Sequence, residues 1–384
     1  MNKIFINAEG NATLVLVMIP TGSYYEDSKV KGISHFLEHF CFKGTTTRSR
    51  KDIDSAIEGV GGDINAFTDT EVTCYWAKVA NAHKKIAIDV ITDLAINPIF
   101  PAKEIDKERE VIIQELKMYK DSPTASTGDL FNATMYPETC GFHYPIIGTE
   151  KTLYDIGRKE LKAHHVKHYT NPTLIVIGDV KDSQKFDSQN FPITENKIYV
   201  PKNDTKIITK KLEQANVIIG NDVYLPQYSK LDKVLMLNIL TLLFNGMSGR
   251  LFGKIREENN LVYRIKFDNT MWSGGTISWY VSLGLEKDKI HKARKLIEIE
   301  LSKGIQKKEL EASIIKAVGT HSLESEDGNS IAETVAFSTR KQVDYRPILN
   351  DFEGNLRRVS GNLNEFIKNM KFNKNLMVGI VPKR

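Results

Sequence analysis

The chain has 384 residues, 53 basic and 48 acidic, for a net charge of +5, and 41% of its residues are hydrophobic. That balance fits a globular chain with sizeable cores, favours two domains on length, and excludes a disordered or fibrous one. The basic residues are spread along the sequence rather than gathered into a dense stripe, so nucleic acid is not an expected partner.

Three cysteines, Cys41, Cys74 and Cys140, lie far apart and form neither a disulfide framework nor a zinc ribbon, which reads as reduced thiols. In chain order, the apolar run Leu14 to Ile19 is too short for a membrane span and follows polar residues. It reads as a buried strand ended by Pro20; no membrane segment or targeting signal is expected, and the expected location is cytoplasmic. "GISHFLEHF" opens a helix at Gly32, and a second helix starts at Lys51. "GGDINAFTDTEVTCYWAKV" alternates partly in polarity and reads as two strands. A helix from Asn81 to Ile96 is stopped by Pro98, and another runs from Lys103 to Tyr119. A loop-rich region follows, in which "KAHHVKHYT" reads as an amphipathic helix with surface histidines His164 and His168. "LIVIGDV" then gives a short buried strand.

The polar, proline-punctuated stretch from Lys181 to Lys211 is the linker candidate, giving expected domains at 1–190 and 207–384 joined by 191–206. The second half replays the first. "NVIIGNDVYLP" reads as a strand, "LDKVLMLNILTLLF" as a helix, and "GGTISWYVSLGLEKDKIHKARKLIEIEL" follows the order and character of the glycine-opened strands and helix of the first half. The expected fold class is α+β: two related αβ sandwich domains from a duplicated unit.

His35 and His39 are four apart and share one face of their helix, with Glu38 between them on the same turn. Imidazoles so placed can grip one Zn²⁺. Ile33, Phe36, Leu37 and Phe40 already supply the apolar stripe, and an unpaired carboxylate in such surroundings costs several kcal/mol or takes up a proton, so a nearby cation is the economical reading. A catalytic zinc typically takes three protein ligands. In "KEIDKEREVIIQELKMYK", Glu108 and Glu115 are seven apart, two helical turns, and fall on the apolar stripe of Ile105, Ile112 and Tyr119.

"HFLEH" followed by "EREVIIQE" resembles the inverted zincins of the pitrilysin, insulin-degrading enzyme and mitochondrial processing peptidase family. "GSYYE", "FKGT", "GGDINAFTDTEVTCY", "YTNPTLIVIGDV" and "SGRLFGKIREENNLVY" match the same family, so the resemblance covers essentially the whole chain. It implies that His35, His39 and Glu115 bind Zn²⁺, that Glu38 is the general base on a zinc-bound water, and that Glu108 orients a ligand histidine or water. Arg256 and Tyr263 are implied to stabilise charge on the substrate carbonyl oxygen. Asn65, Ala66 and Phe67 are implied to form an open edge strand that pairs with an extended peptide. Asn260 and Val262 stand where the family often has small residues, and the little sequence before the first strand implies a trimmed N-terminal strand.

The resemblance further implies half of a clamshell that closes as a dimer around a chamber, Arg256 and Tyr263 of one chain serving the zinc of the other. The expected function is a zinc-dependent endopeptidase acting on extended peptides or presequences, as a homodimer. The alternatives are a catalytic subunit that needs a noncatalytic homologous partner in a heterodimer, and a scaffolding member without peptidase activity.

Overall fold

In the computed structural model, which describes residues 1–181, 191–195, 197–201 and 203–383, the chain forms two five-stranded sheets. The chain runs through β1 (Asn2–Asn7), β2 (Ala12–Ile19), α1 (Ile33–Cys41), α2 (Arg50–Glu58), β3 (Asp63–Thr68), β4 (Thr73–Ala80), α3 (Lys84–Ile96) and α4 (Ala102–Asp121). It continues through α5 (Pro123–Met135), α6 (Glu150–Asp155), α7 (Arg158–His168), β5 (Thr173–Gly178), β6 (Thr205–Lys210), β7 (Ala215–Tyr224) and α8 (Lys230–Phe244). A π-helical turn at Phe252–Glu257 leads into β8 (Val262–Met271), β9 (Thr276–Leu285), α9 (Ile290–Ser302) and α10 (Lys307–Glu324). The last elements are α11 (Gly328–Arg340), α12 (Arg346–Asn350), α13 (Phe352–Ser360), α14 (Leu363–Asn369) and β10 (Leu376–Pro382).

The strand order is β1-β5-β2-β4-β3 in one sheet and β6-β10-β7-β9-β8 in the other. In each, the outermost pair, β1 with β5 or β6 with β10, is parallel and the remaining pairs are antiparallel. One sheet-plus-helix design is therefore built twice, the α+β duplication that the sequence pattern implies. An N-terminal strand is present after all: β1 pairs with β5 from Asn2 to Asn7. It lies at the sheet edge, with Ile4 buried and Phe5 and Ile6 half-buried, and so short an apolar run does not mark a strand by itself.

Packing divides the described residues into two compact units that cross the expected boundaries. The first holds Met1–Tyr119, Glu138–Pro192 and Glu324–Gln342; the second holds Lys120–Pro137, Ile193–Leu323 and Val343–Arg384. Two helices cross those boundaries. Helix α5, in what the sequence shows as loop, packs on β7 and β10, and α11 packs on β2 and β5. The cause lies in the central strands, which are apolar on both faces and need a helix on each. On β2, Val15, Val17 and Ile19 join the core beneath α1 and α3, while Leu14 lies on the other face beside Gly328 at the start of α11. Residues 182–190 of the expected first domain, and 196 and 202 of the expected linker, lie outside the described residues; Thr205 and Lys206, at its end, already belong to β6. Among the described residues no helix is long and apolar enough to cross a membrane.

Candidate metal centre

Helix α1 is fixed by its apolar side. Ile33, Phe36, Leu37 and Phe40 are fully buried in the first core, each contributing about 1.5–3 kcal/mol by leaving water. Its start is set by Gly32, whose φ of +94° favours glycine and where a Cβ would fall 2.5 Å from the Ile147 carbonyl oxygen. Glu26 accepts from both amides exposed there, Oε2 from Gly32 N–H and Oε1 from Ser34 N–H, each at 2.8 Å. A carboxylate suits a helix N-terminus, yet burial pushes its pKa up to about 7 against those two bonds.

On the same turn, Ser34 Oγ lies 3.2 Å from His164 Nε2. The reading of His164 as a surface residue is corrected here. It is 7% exposed and burial pushes its pKa down to about 3, because Leu161 and His164, one turn apart, form the buried side of α7, the helix that packs on α1. His168 is half-buried, with Nδ1 3.4 Å from Thr21 Oγ1.

The other side of α1 presents His35 and His39, ring centroids 4.7 Å apart. Helix α4 brings Glu115 to them, its Oε2 3.7 Å from Nε2 of each histidine. One donor atom from each of the three residues lies within 4.8 Å of the others. Glu108 does not join this cluster. Its Oε1 is 2.8 Å from His39 Nδ1, and its other oxygen pairs with the Lys43 ammonium. A carboxylate at Nδ1 makes that nitrogen the proton donor and leaves the lone pair on Nε2. Glu38 is buried, and its Oε2 accepts from Thr68 Oγ1 on β3 at 2.5 Å.

Burial, and then His39, pushes the His35 pKa down to about 3, so its ring stays neutral with a free lone pair. Burial alone would lower His39 too, but the Glu108 hydrogen bond and the surrounding carboxylates outweigh it and raise its pKa. Glu38 is raised by burial against the Thr68 bond. For Glu108, burial is outweighed by the bonds from His39 and Lys43, which hold it below the usual range.

Two neutral-capable imidazoles and a carboxylate are the donor set of three-ligand zinc sites. Tetrahedral bonds of about 2.0–2.1 Å separate ligand atoms by about 3.4 Å. The two 3.7 Å separations are close to that and too long for hydrogen bonds, so these residues fit the ion.

Beside this centre, β3 is the edge of its sheet. Asn65 is exposed, and its Oδ1 accepts the Ala66 amide at 2.8 Å, which marks that N–H as facing the unpaired side. The Phe67 ring points to the face opposite Thr68 and lies near Phe337 of α11, centroids 6.3 Å apart.

Arg256 and Tyr263 belong to the second unit. The Arg256 guanidinium lies over the Phe252 ring, 4.8 Å from its centroid. Tyr263 is half exposed, at 53%, and its hydroxyl donates to Glu286 Oε1 at 2.9 Å. The β8–β9 register shifts between Val262 and Arg264, so Tyr263 sits in a bulge, a device that re-aims a side chain. Asn260 takes a left-handed φ of 48°, which asparagine tolerates better than most residues. Sequence reasoning assigned no role to Glu26, Lys43, Thr68 or Glu286. The first three lie in stretches that carried the family resemblance, which was their only signal.

Residues 5–149 match the family model of insulinase, peptidase family M16, and residues 155–316 match that of the peptidase M16 inactive domain. The chain is 32% identical to a Bacillus subtilis protein named uncharacterized zinc protease YmxG, over 94% of this chain and 92% of that one. It is also 32% identical to an uncharacterized zinc protease of Rickettsia felis, over 77% and 74% of the two chains. A crystal structure of a protease from Helicobacter pylori shares the fold with a TM-score of 0.86 at 21% identity, covering 99% of this chain and 96% of that one. Its sequence kinship, over nearly the full length of both chains, means that this protein belongs to the insulinase family of peptidases, M16.

Proposed function

We propose that this chain is a zinc-dependent endopeptidase that hydrolyses extended peptides or presequences. The observation that carries the reading is the convergence of His35, His39 and Glu115 on one point with the buried Glu38 on the same helix turn. Those three residues would hold the zinc. When bound, it supplies Lewis acidity at the substrate carbonyl and lowers the pKa of water. Glu38 takes the proton from the attacking water and returns it to the leaving amine. Its burial favours the protonated form relative to an exposed glutamate, which suits a group that must both accept and release a proton. Glu108 holds His39 in the tautomer that presents Nε2.

The free edge of β3, at Asn65 and Ala66, supplies main-chain hydrogen bonds to an extended substrate, so affinity depends little on sequence. Phe67 contributes through its backbone, since its ring already packs near Phe337. Arg256 and Tyr263 donate to the carbonyl oxygen as charge develops there, and they do so for the zinc of a second chain in a homodimer.

Glu38→Gln retains zinc and lowers peptide turnover by about 10²–10⁴-fold. Equal turnover by parent and variant would remove the mechanism. Mixing Glu38→Gln chains with Tyr263→Phe chains restores activity if sites are shared between subunits; no recovery at any ratio rejects the shared site. Activity that appears only with a second, noncatalytic homologous chain would replace the homodimer with a heterodimer.

A further inference from the structure

We infer that Lys43 is a positioning residue for the metal centre, acting on His39 through Glu108. The inference rests on the peptidase reading, because it takes His39 as a ligand. The two histidines of α1 are held differently. His35 Nδ1 is buried and has no hydrogen-bond partner among the described residues, so packing alone orients that ring. His39 Nδ1 meets Glu108 Oε1 at 2.8 Å, and the other Glu108 oxygen meets the Lys43 ammonium. Orientation of His39 therefore depends on Glu108, and orientation of Glu108 depends on Lys43.

The lysine is well placed for this. It follows α1 directly, its side chain is 13% exposed, and the next turn is pinned by Thr45, whose Oγ1 donates to Asp93 Oδ2 at 2.6 Å and whose amide bonds the Arg48 carbonyl at 2.8 Å. Glu108 itself is 6% exposed, so water cannot replace a lost partner easily. Removing Lys43 leaves the carboxylate with one partner and free to turn away from His39. The loss should then appear in zinc affinity, as it does when groups behind a ligand are removed.

The test is zinc affinity by chelator competition on the full chain, with Lys43→Met, Lys43→Gln, Lys43→Arg, Glu108→Gln and the Lys43→Met/Glu108→Gln double variant. The expected result is about 10- to 100-fold weaker zinc binding for Lys43→Met and Lys43→Gln, largely restored in Lys43→Arg. The double variant is expected to bind no more weakly than Glu108→Gln alone, because both act along one path. A merely structural lysine would give additive losses and no recovery with arginine. Parental affinity in folded Lys43→Met or Lys43→Gln, or additive losses, overturns the positioning role and leaves the peptidase reading standing. A parent chain that binds no zinc overturns both.

Discussion

The two units share a topology and differ in what they hang on it. After β2 the first unit enters α1, where two histidines and a glutamate share the turn with the buried Phe36 and Phe40. After β7 the second enters α8, whose buried side includes Leu235, Met236, Ile239, Leu240 and Phe244, and no histidine. The helices also start differently. Ser229 caps α8 by accepting the Asp232 amide at 3.1 Å, an ordinary exposed cap, whereas α1 starts at a left-handed glycine under a buried carboxylate. The edge strands diverge too: β3 keeps its register with β4 from Asp63 to Thr68, and β8 is bulged at Tyr263. A sheet fixes where a helix and an edge strand fall. The side chains placed there decide whether chemistry is available.

Erasing the contrast should give the largest effect. His39→Leu makes α1 resemble α8, and we expect loss of tight zinc binding and a fall in turnover of more than about 10³-fold, since the lowered water pKa goes with the ion. The metal-free protein should also melt several degrees lower, because leucine leaves the buried Glu108 Oε1 without its partner, at about 1–3 kcal/mol. Metal content and calorimetry check both halves of the statement.

Glu26→Gln probes the unusual helix start. In the folded chain Glu26 titrates near 7 rather than 4.5, so it binds its proton more tightly folded than unfolded. Its contribution to stability is therefore full below about pH 4.5 and is lost as pH rises through about 7, a span of about 3 kcal/mol. The glutamine variant lacks this slope. Denaturation at pH 4.5 and pH 8 should show the parent's advantage over the variant shrinking by that amount, and a constant difference would contradict the assignment.

Gly32→Ala tests the helix start itself, because its Cβ would meet the Ile147 carbonyl oxygen at 2.5 Å and the backbone there must shift. The left-handed backbone costs about 1–2 kcal/mol for a residue with a Cβ, before any contact with the Ile147 carbonyl is relieved. Alanine at Ser229, where φ is −61°, should lose only the cap, about 1 kcal/mol. Unfolding of both variants sets one helix start against the other.

Much of the site was legible because helical spacing is a local property. The four-residue step from His35 to His39 and the seven-residue step from Glu108 to Glu115 fix which groups share a face, whatever lies around them. Alternation marked β3 and β4, an unbroken apolar run marked β2, and the repeat of glycines, strands and basic helix marked the duplication. The family resemblance supplied the link between α1 and α4, which spacing does not contain.

What only tertiary structure decided is long-range. Burial of His164 depends on α7 lying against α1, and the roles of Lys43 and Thr68 depend on the distant Glu108 and Glu38 that they meet. The crossing of α5 and α11 between units is likewise invisible locally, because a short helix of mixed polarity does not state which sheet it covers. Periodicity is written in neighbouring residues, whereas burial and polar pairing are set by residues far along the chain, 30 positions apart for Glu38 and Thr68 and 130 for Ser34 and His164, and no local pattern encodes that distance.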